Sequence, residues 1–304
     1  MELQKYEKIE FSNYWNEDTH LMTYLNKDAF NLWSINYTIA LVNTENKNIV
    51  IKYKLPETRL CFGIMTCPEK NIFIYCHCNY INNNASIIIE IYKIIDNTIN
   101  KLREFVIISG HTCGNTDGIL QRMGINMFNI AWGDLTNSDE ISFFSFNIDE
   151  YESIQIIEDF EMNYDFINYY FISKDVVVQS YIISNSNNNF EICLKNCIKD
   201  NFFFIIENYE LPYIHTCSYM TEVESTILEF GIFNNKTLCL VRIKLENRID
   251  VLHNEYYGID VLMDIDTNKV IFISPKFTYD DCDFSVKSSI YFKDELPMIW
   301  TNKL

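Results

Sequence analysis

Apolar positions in this chain cluster in runs of strand length, separated by clusters of Asn, Asp and Ser. Residues 72–80 read IFIYCHCNY, Asn82-Asn83-Asn84 follows, and residues 86–95 read SIIIEIYKII. A polar break at Asp96-Asn97 precedes a third run at 102–108. Short apolar or alternating runs bounded by turn-forming residues predict strands joined by tight turns.

The same order recurs. Residues 127–132, a turn at 137–139, residues 141–148, a break at Asp149-Glu150 and residues 154–160 form a second copy. A third runs through 176–183, Asn187-Asn188-Asn189, 190–197, Asp200-Asn201 and 202–206. A fourth runs through 226–233, Asn234-Asn235, 237–245, Glu246-Asn247 and 249–252. Half-copies stand at 38–42 with 49–54, and at 261–265 with 270–274 across a turn at Thr267-Asn268. The Asn clusters recur about every 50 residues. Asn tolerates a left-handed backbone and bonds its own main chain, so it can serve where a hairpin would use Gly. Residues 13–30 and 117–123 are the only stretches that suggest a turn or two of helix.

A period of 40 to 50 residues with three or four strands per unit resembles the β-propeller superfold, with WD40-like repeat spacing. The resemblance rests on spacing over most of the chain. Gly110-His111 has no Trp-Asp in register, and no Gly-Gly pair of the kelch kind occurs. It implies an all-β chain, a β-propeller of six or seven blades, as a single domain over 1–304. Residues 1–33 would be an N-terminal extension or a closing segment. A large β-sandwich or two β domains is the alternative.

Composition changes this picture in three respects. The chain has 42 acidic and 24 basic residues, a formal net charge of −18. Phosphate backbones and anionic membranes call for clustered Lys and Arg, so neither nucleic acid nor membrane is expected as a partner. No apolar run approaches the roughly 18 residues of a membrane span. Ten cysteines sit largely within apolar runs behind a polar N-terminus. This fits free thiols, no signal peptide and a cytoplasmic or nuclear location.

No catalytic, cofactor or metal motif stands out. Cys76-His77-Cys78 resembles a ligand cluster, but on a strand the cysteines share one face and His77 takes the other. Cys193 and Cys197 read as core. His20, His111, His215 and His253 carry no flanking motif. Asp139-Glu140, Glu158-Asp159, Asp264 with Asp266, and Asp280-Asp281 are acidic pairs, the kind a glycosidase uses in its cavity. Asp264-x-Asp266-x-Asn268 opens like a calcium loop but has Lys269 and Pro275 where Gly and Glu are needed. Trp132-Gly-Asp134 ends a run, where an exposed Trp could anchor a partner and a buried one would be core.

The expectation is a non-catalytic protein-protein interaction scaffold without cofactor, with Trp132 and Asp134 as partner-binding candidates. The alternative is a carboxylate-dependent, glycosidase-like hydrolase. Two or three buried carboxylates about 5–10 Å apart in a cavity would mark it.

Overall fold

The computed structural model describes residues 11–14, 19–31, 34–43, 48–67, 70–82, 84–109, 116–134, 140–158, 160, 168–184, 190–209, 220–248, 254–279 and 288–301. All its regular elements longer than a single turn are strands. The first sheet joins β1 (Phe11–Tyr14), β2 (Thr19–Asn31), β3 (Ser34–Asn43) and β4 (Ile49–Lys54). The second joins β5 (Leu60–Cys67), β6 (Ile72–Ile81), β7 (Asn84–Ile95) and β8 (Thr98–Ile108). The third joins β9 (Thr116–Arg122), β10 (Met127–Asp134), β11 (Glu140–Asn147) and β12 (Tyr151–Glu158). The fourth joins β13 (Tyr170–Ser173), β14 (Val176–Ser184), β15 (Phe190–Asn196) and β16 (Asn201–Tyr209). The fifth joins β17 (Met220–Phe233), β18 (Lys236–Arg248), β19 (Asn254–Asp264) and β20 (Lys269–Ile273), with β21 (Phe277–Tyr279) also paired to β19. The last is a hairpin of β22 (Ser288–Lys293) and β23 (Leu296–Thr301).

Each sheet is an antiparallel meander, a propeller-like succession of blade-type units. Four of the described sheets have the regular four strands, against the six or seven blades expected. The difference has a local cause. Glu246-Asn247 is not a break, because β18 runs through it in register with β19, pairing Glu246 to Tyr256 and Asn247 to Glu255. The run at 249–252 lies outside the described residues. The supposed half-copy at 261–274 then supplies β19 and β20, so two expected units merge into one five-stranded sheet.

The two helical expectations are also corrected. Residues 13–14 and 19–30 lie in β1 and β2, residues 117–122 lie in β9, and 15–18 lie outside the described residues. Cross-strand pairing of Leu21 with Leu41 and of Met22 with Ala40 outweighs the weak local pattern. The segment 1–33, expected as an N-terminal extension or a closing segment, supplies two strands of the first sheet, β1 and β2, in its described residues.

At the described turns the chemistry is as read, while the turns expected at 137–139 and 187–189 lie outside the described residues. Asn82, Asn97, Asn234, Asn235 and Asn268 all have φ between 51° and 61°, or 47° at Asn234. Asn234-Asn235 and Asp96-Asn97 place two consecutive residues at positive φ, as a type I′ hairpin requires.

Contacts divide the chain into two compact units: Met1–Gln121 with Ile125–Tyr164, and Asp165–Lys303 with Arg122–Gly124. In the first unit, Ile74, Cys76, Ile87 and Ile89 pack against Phe128, Ile130, Trp132 and Phe146 of the third sheet. The opposite face of the second sheet carries Phe73, Tyr75 and Tyr92, which pack with Tyr37, Ile39 and Leu41 of the first sheet. Burial on both faces is why β6 and β7 read as continuous apolar runs instead of alternating. Each fully buried Ile contributes about 1.5–3 kcal/mol. In the second unit, Val178, Ile192 and Leu194 join Val241, Ile259 and Met263 in one core.

Candidate functional site

Charged residues inside apolar runs must find partners, because an unpaired buried charge is costly. Glu90, in the run IIIEIYK of β7, is buried on the face that looks toward Tyr75 and Tyr92. Its carboxylate accepts a hydrogen bond from the Tyr92 hydroxyl at 2.9 Å and one from Lys101 Nζ at 2.7 Å. Lys101 also bonds Glu104. His77 Nε2 lies 3.5 Å from Glu90 Oε2. At that distance the contact is marginal and mainly electrostatic, and neither ring nitrogen makes a regular hydrogen bond. The imidazole instead stacks on Tyr75, with centroids 4.5 Å apart.

Burial pushes the Glu90 carboxyl up, but the groups around it, His77, Lys101 and Tyr92, outweigh burial and bring it down to about 2 from an ordinary 4.5. The carboxylate therefore stabilises the fold fully above about pH 4.5 and loses that contribution as pH falls toward 2. Glu90→Gln is expected to cost on the order of 3 kcal/mol at pH 7 and to flatten the stability profile between pH 4.5 and 2. Urea unfolding across that range checks it. A variant profile parallel to wild type would contradict the assignment.

Two further buried pairs lie in the second unit. Arg242 donates through Nε and Nη2 to both carboxylate oxygens of Asp260, at 2.8 and 3.0 Å. Arg242 also donates to Ser288 Oγ at 2.9 Å. Arg122 Nη1 donates to the Ile290 carbonyl at 3.1 Å, while Glu229 Oε2 accepts the Ile290 N–H at 2.9 Å. The two charged pairs thus hold β22 by its side chain at Ser288 and by both main-chain groups at Ile290. Each is a tie between strands.

A cavity of about 520 Å³ opens on the first unit, lined by Lys70, Asn71, Ile72, Ile91, Lys93, Leu102, Arg103, Ile148 and Asp149. Its size suits a ligand of small-molecule or side-chain dimensions. The floor is apolar, from Ile72, Ile91 and Ile148, all buried. The rim holds three cations and one carboxylate. Lys70 Nζ bonds Asp149 Oδ2 at 2.8 Å and holds that carboxyl below its usual range. Arg103 Nη1 donates to the Asp149 carbonyl at 2.7 Å. Lys93 is half-buried and makes no ion pair among the described residues. Such a site can seat an anionic group on an apolar body.

The residues singled out from sequence are placed as follows. Trp132 is 2% exposed and packs in the core, so the anchor reading gives way to the core one. Asp134 is half-buried at the end of β10. Cys76 and Cys78 share the core face and His77 the other, as strand alternation requires. Cys193 is buried in β15 and Cys197 partly buried. Glu140 and Glu158 are exposed. Asp264 accepts the Thr267 N–H and Asp266 the Thr237 N–H, so this pair fastens turns. Asp139, Asp159, Asp280, Asp281, His111, His215 and His253 lie outside the described residues. Among the described residues no group of three His, Cys, Asp or Glu could hold a metal ion. No described helix is long and apolar enough to cross a membrane.

No protein-family model matches the chain, and no curated protein matches it in sequence. Solved structures do. A subtype N10 neuraminidase-like protein from a little yellow-shouldered bat influenza A virus matches at 12% identity and TM-score 0.39, over 84% of this chain and 77% of that one. The β-propeller domain of the Trilobed protease from Pyrococcus furiosus matches at 13% identity and TM-score 0.35, over 95% and 77%. The WD40 domain of SCAP from fission yeast matches at 9% identity and TM-score 0.33, over 93% and 78%. Likeness at this level assigns no activity to the chain.

Proposed function

We propose that the chain is a non-catalytic protein-interaction module, with the cavity rimmed by Lys70, Lys93 and Arg103 as a recognition site. One observation carries this reading. Among the described residues, the buried carboxylates Glu90, Glu229 and Asp260 are each committed to a cross-strand tie and the fourth, Asp264, to a turn, whereas the cavity offers cations over an apolar floor. The cavity has one carboxylate, Asp149, already bonded to Lys70, and not the spaced pair that glycoside hydrolysis needs. The seven described cysteines are free thiols, which supports a reducing compartment.

The test is capture on the immobilised chain from a lysate of its source at several salt concentrations, beside Lys93→Glu as control. A protein partner at stoichiometric yield is expected with the wild type, reduced at least tenfold with the variant. A panel of chromogenic glycosides should turn over at the rate without protein. Glycoside turnover well above that rate, or no partner at any salt, would overturn the reading.

A further inference from the structure

We propose that β8 takes up an extended acidic segment of a partner protein by strand addition, with a carboxylate of that segment seated against Lys93 and Arg103. The proposal rests on the interaction-module reading and deepens it.

The first support is an open edge. Among the described strands β8 pairs with β7 alone, at the end of its sheet. The bond from the Ser109 N–H to the Ala85 carbonyl fixes the phase of the ladder. These two residues continue the register of Ser86 with Ile108 and Ile87 with Ile107. In an antiparallel pair, opposed residues alternate between exchanging main-chain bonds with each other and pointing those groups away. Ile107, Phe105 and Arg103 therefore bond toward β7. Ile108, Val106 and Glu104 turn their N–H and C=O groups outward, ready for another strand.

The second support is what the edge carries. Leu102, Val106 and Ile108 are 52%, 46% and 68% exposed. An edge strand of 11 residues with three exposed aliphatics is the kind that recruits a further strand. Val106 and Ile108 share a face with Glu104.

The third support is charge on the opposite face. Arg103 is in register with Ile91, and Lys93 lies two residues along β7 on that same face. Both line the cavity with Lys70. A strand laid beside β8 would alternate its side chains, one set over Val106 and Ile108 and the other toward Arg103 and the cavity. The matching segment alternates aliphatic with Asp or Glu. The net charge of −18 does not forbid this, because at physiological salt charges beyond about 8 Å are largely screened and the rim cations dominate inside the cavity.

The test is selection from a random peptide library displayed on phage against the full chain. Peptides alternating acidic with aliphatic residues should be enriched. Their affinity should fall at least tenfold with Lys93→Glu, which reverses the rim charge. Val106→Pro should do the same, since it blocks the outward N–H without removing a bond to β7. Circular dichroism and melting of both variants should match wild type. Peptides selected without that alternation, or bound equally by either variant, overturn the proposal. So does protection by citrate of Lys93 from acylation with no peptide selected, which would make the cavity a small-anion site. So does dimerisation abolished by Val106→Pro with no peptide selected, which would make the edge a self-association surface. If a protein partner is captured and depends on Lys93 while no peptide is selected, the module reading stands and strand addition falls.

Discussion

Gly231→Ala is expected to lower the stability of the second unit by at least about 3 kcal/mol, with a melting temperature depressed on the order of 10 °C. Gly231 lies in β17, where a Cβ would sit 1.7 Å from the Met123 carbonyl oxygen and 2.2 Å from its carbon. These are main-chain atoms, so no side chain can rotate aside. The next residue, Ile232, donates its N–H to the same carbonyl at 3.0 Å and bridges to Gly124. An added methyl must push the two backbones apart and break that bond. Ile232→Ala is the matched control. Its side chain is largely exposed, so its effect should stay within about 0.5 kcal/mol. A Gly231→Ala protein that melts within two or three degrees of wild type would show that Arg122–Gly124 do not pack on β17 as described. Differential scanning calorimetry of the two variants decides it.

How far this architecture can be read in the sequence depends on the strand. The second, third and fourth strands of the middle sheets were legible, because their apolar runs are long and, in the second sheet, Asn82 and Asn97 mark the turns at positive φ. Of the first strands, β5 was legible as the apolar run between Pro56 and Pro68, but β9 was not. Asp117, Gly118 and Gln121 break the pattern of β9, which is held as a strand by β10. The frame error at Glu246-Asn247 has a similar origin. Two polar residues in a long strand look like a turn until the partner strand is known. The ionic ties left a signal that could have been used. Glu90, Glu229, Arg242 and Asp260 each interrupt an otherwise apolar run, and a charge in such a run demands a buried partner. The pairings themselves were not legible, since Arg242 meets Asp260 only through the β18–β19 register. The cavity was invisible for the same reason. Lys70 and Asp149 come from connections, Lys93 from the end of β7 and Arg103 from the middle of β8, and Asp149 had looked like a mere break.

Asp260→Asn should be nearly as damaging, at about 3–5 kcal/mol. The change is isosteric and leaves a buried guanidinium facing a neutral amide. Asp260 is fully buried, with both oxygens bonded to Arg242 and a further bond from Ser288. Arg242→Met alone should cost a similar amount, because it strands the carboxylate. The double variant should recover at least half of the summed loss, since the pair's desolvation is relieved when both charges go. Additive losses would mean that the two residues are not coupled and that the pair is not the tie proposed for it. Hydrogen exchange supplies the second measurement. Ser288 and Ile290 lie two residues apart on β22, one held by Arg242 and Asp260 and the other by Arg122 and Glu229. Losing the first tie should speed exchange at β22 and β23 well before it reaches the β14–β15 ladder. A uniform rise across the second unit would instead make Asp260 a global stabiliser with no particular hold on the C-terminal hairpin.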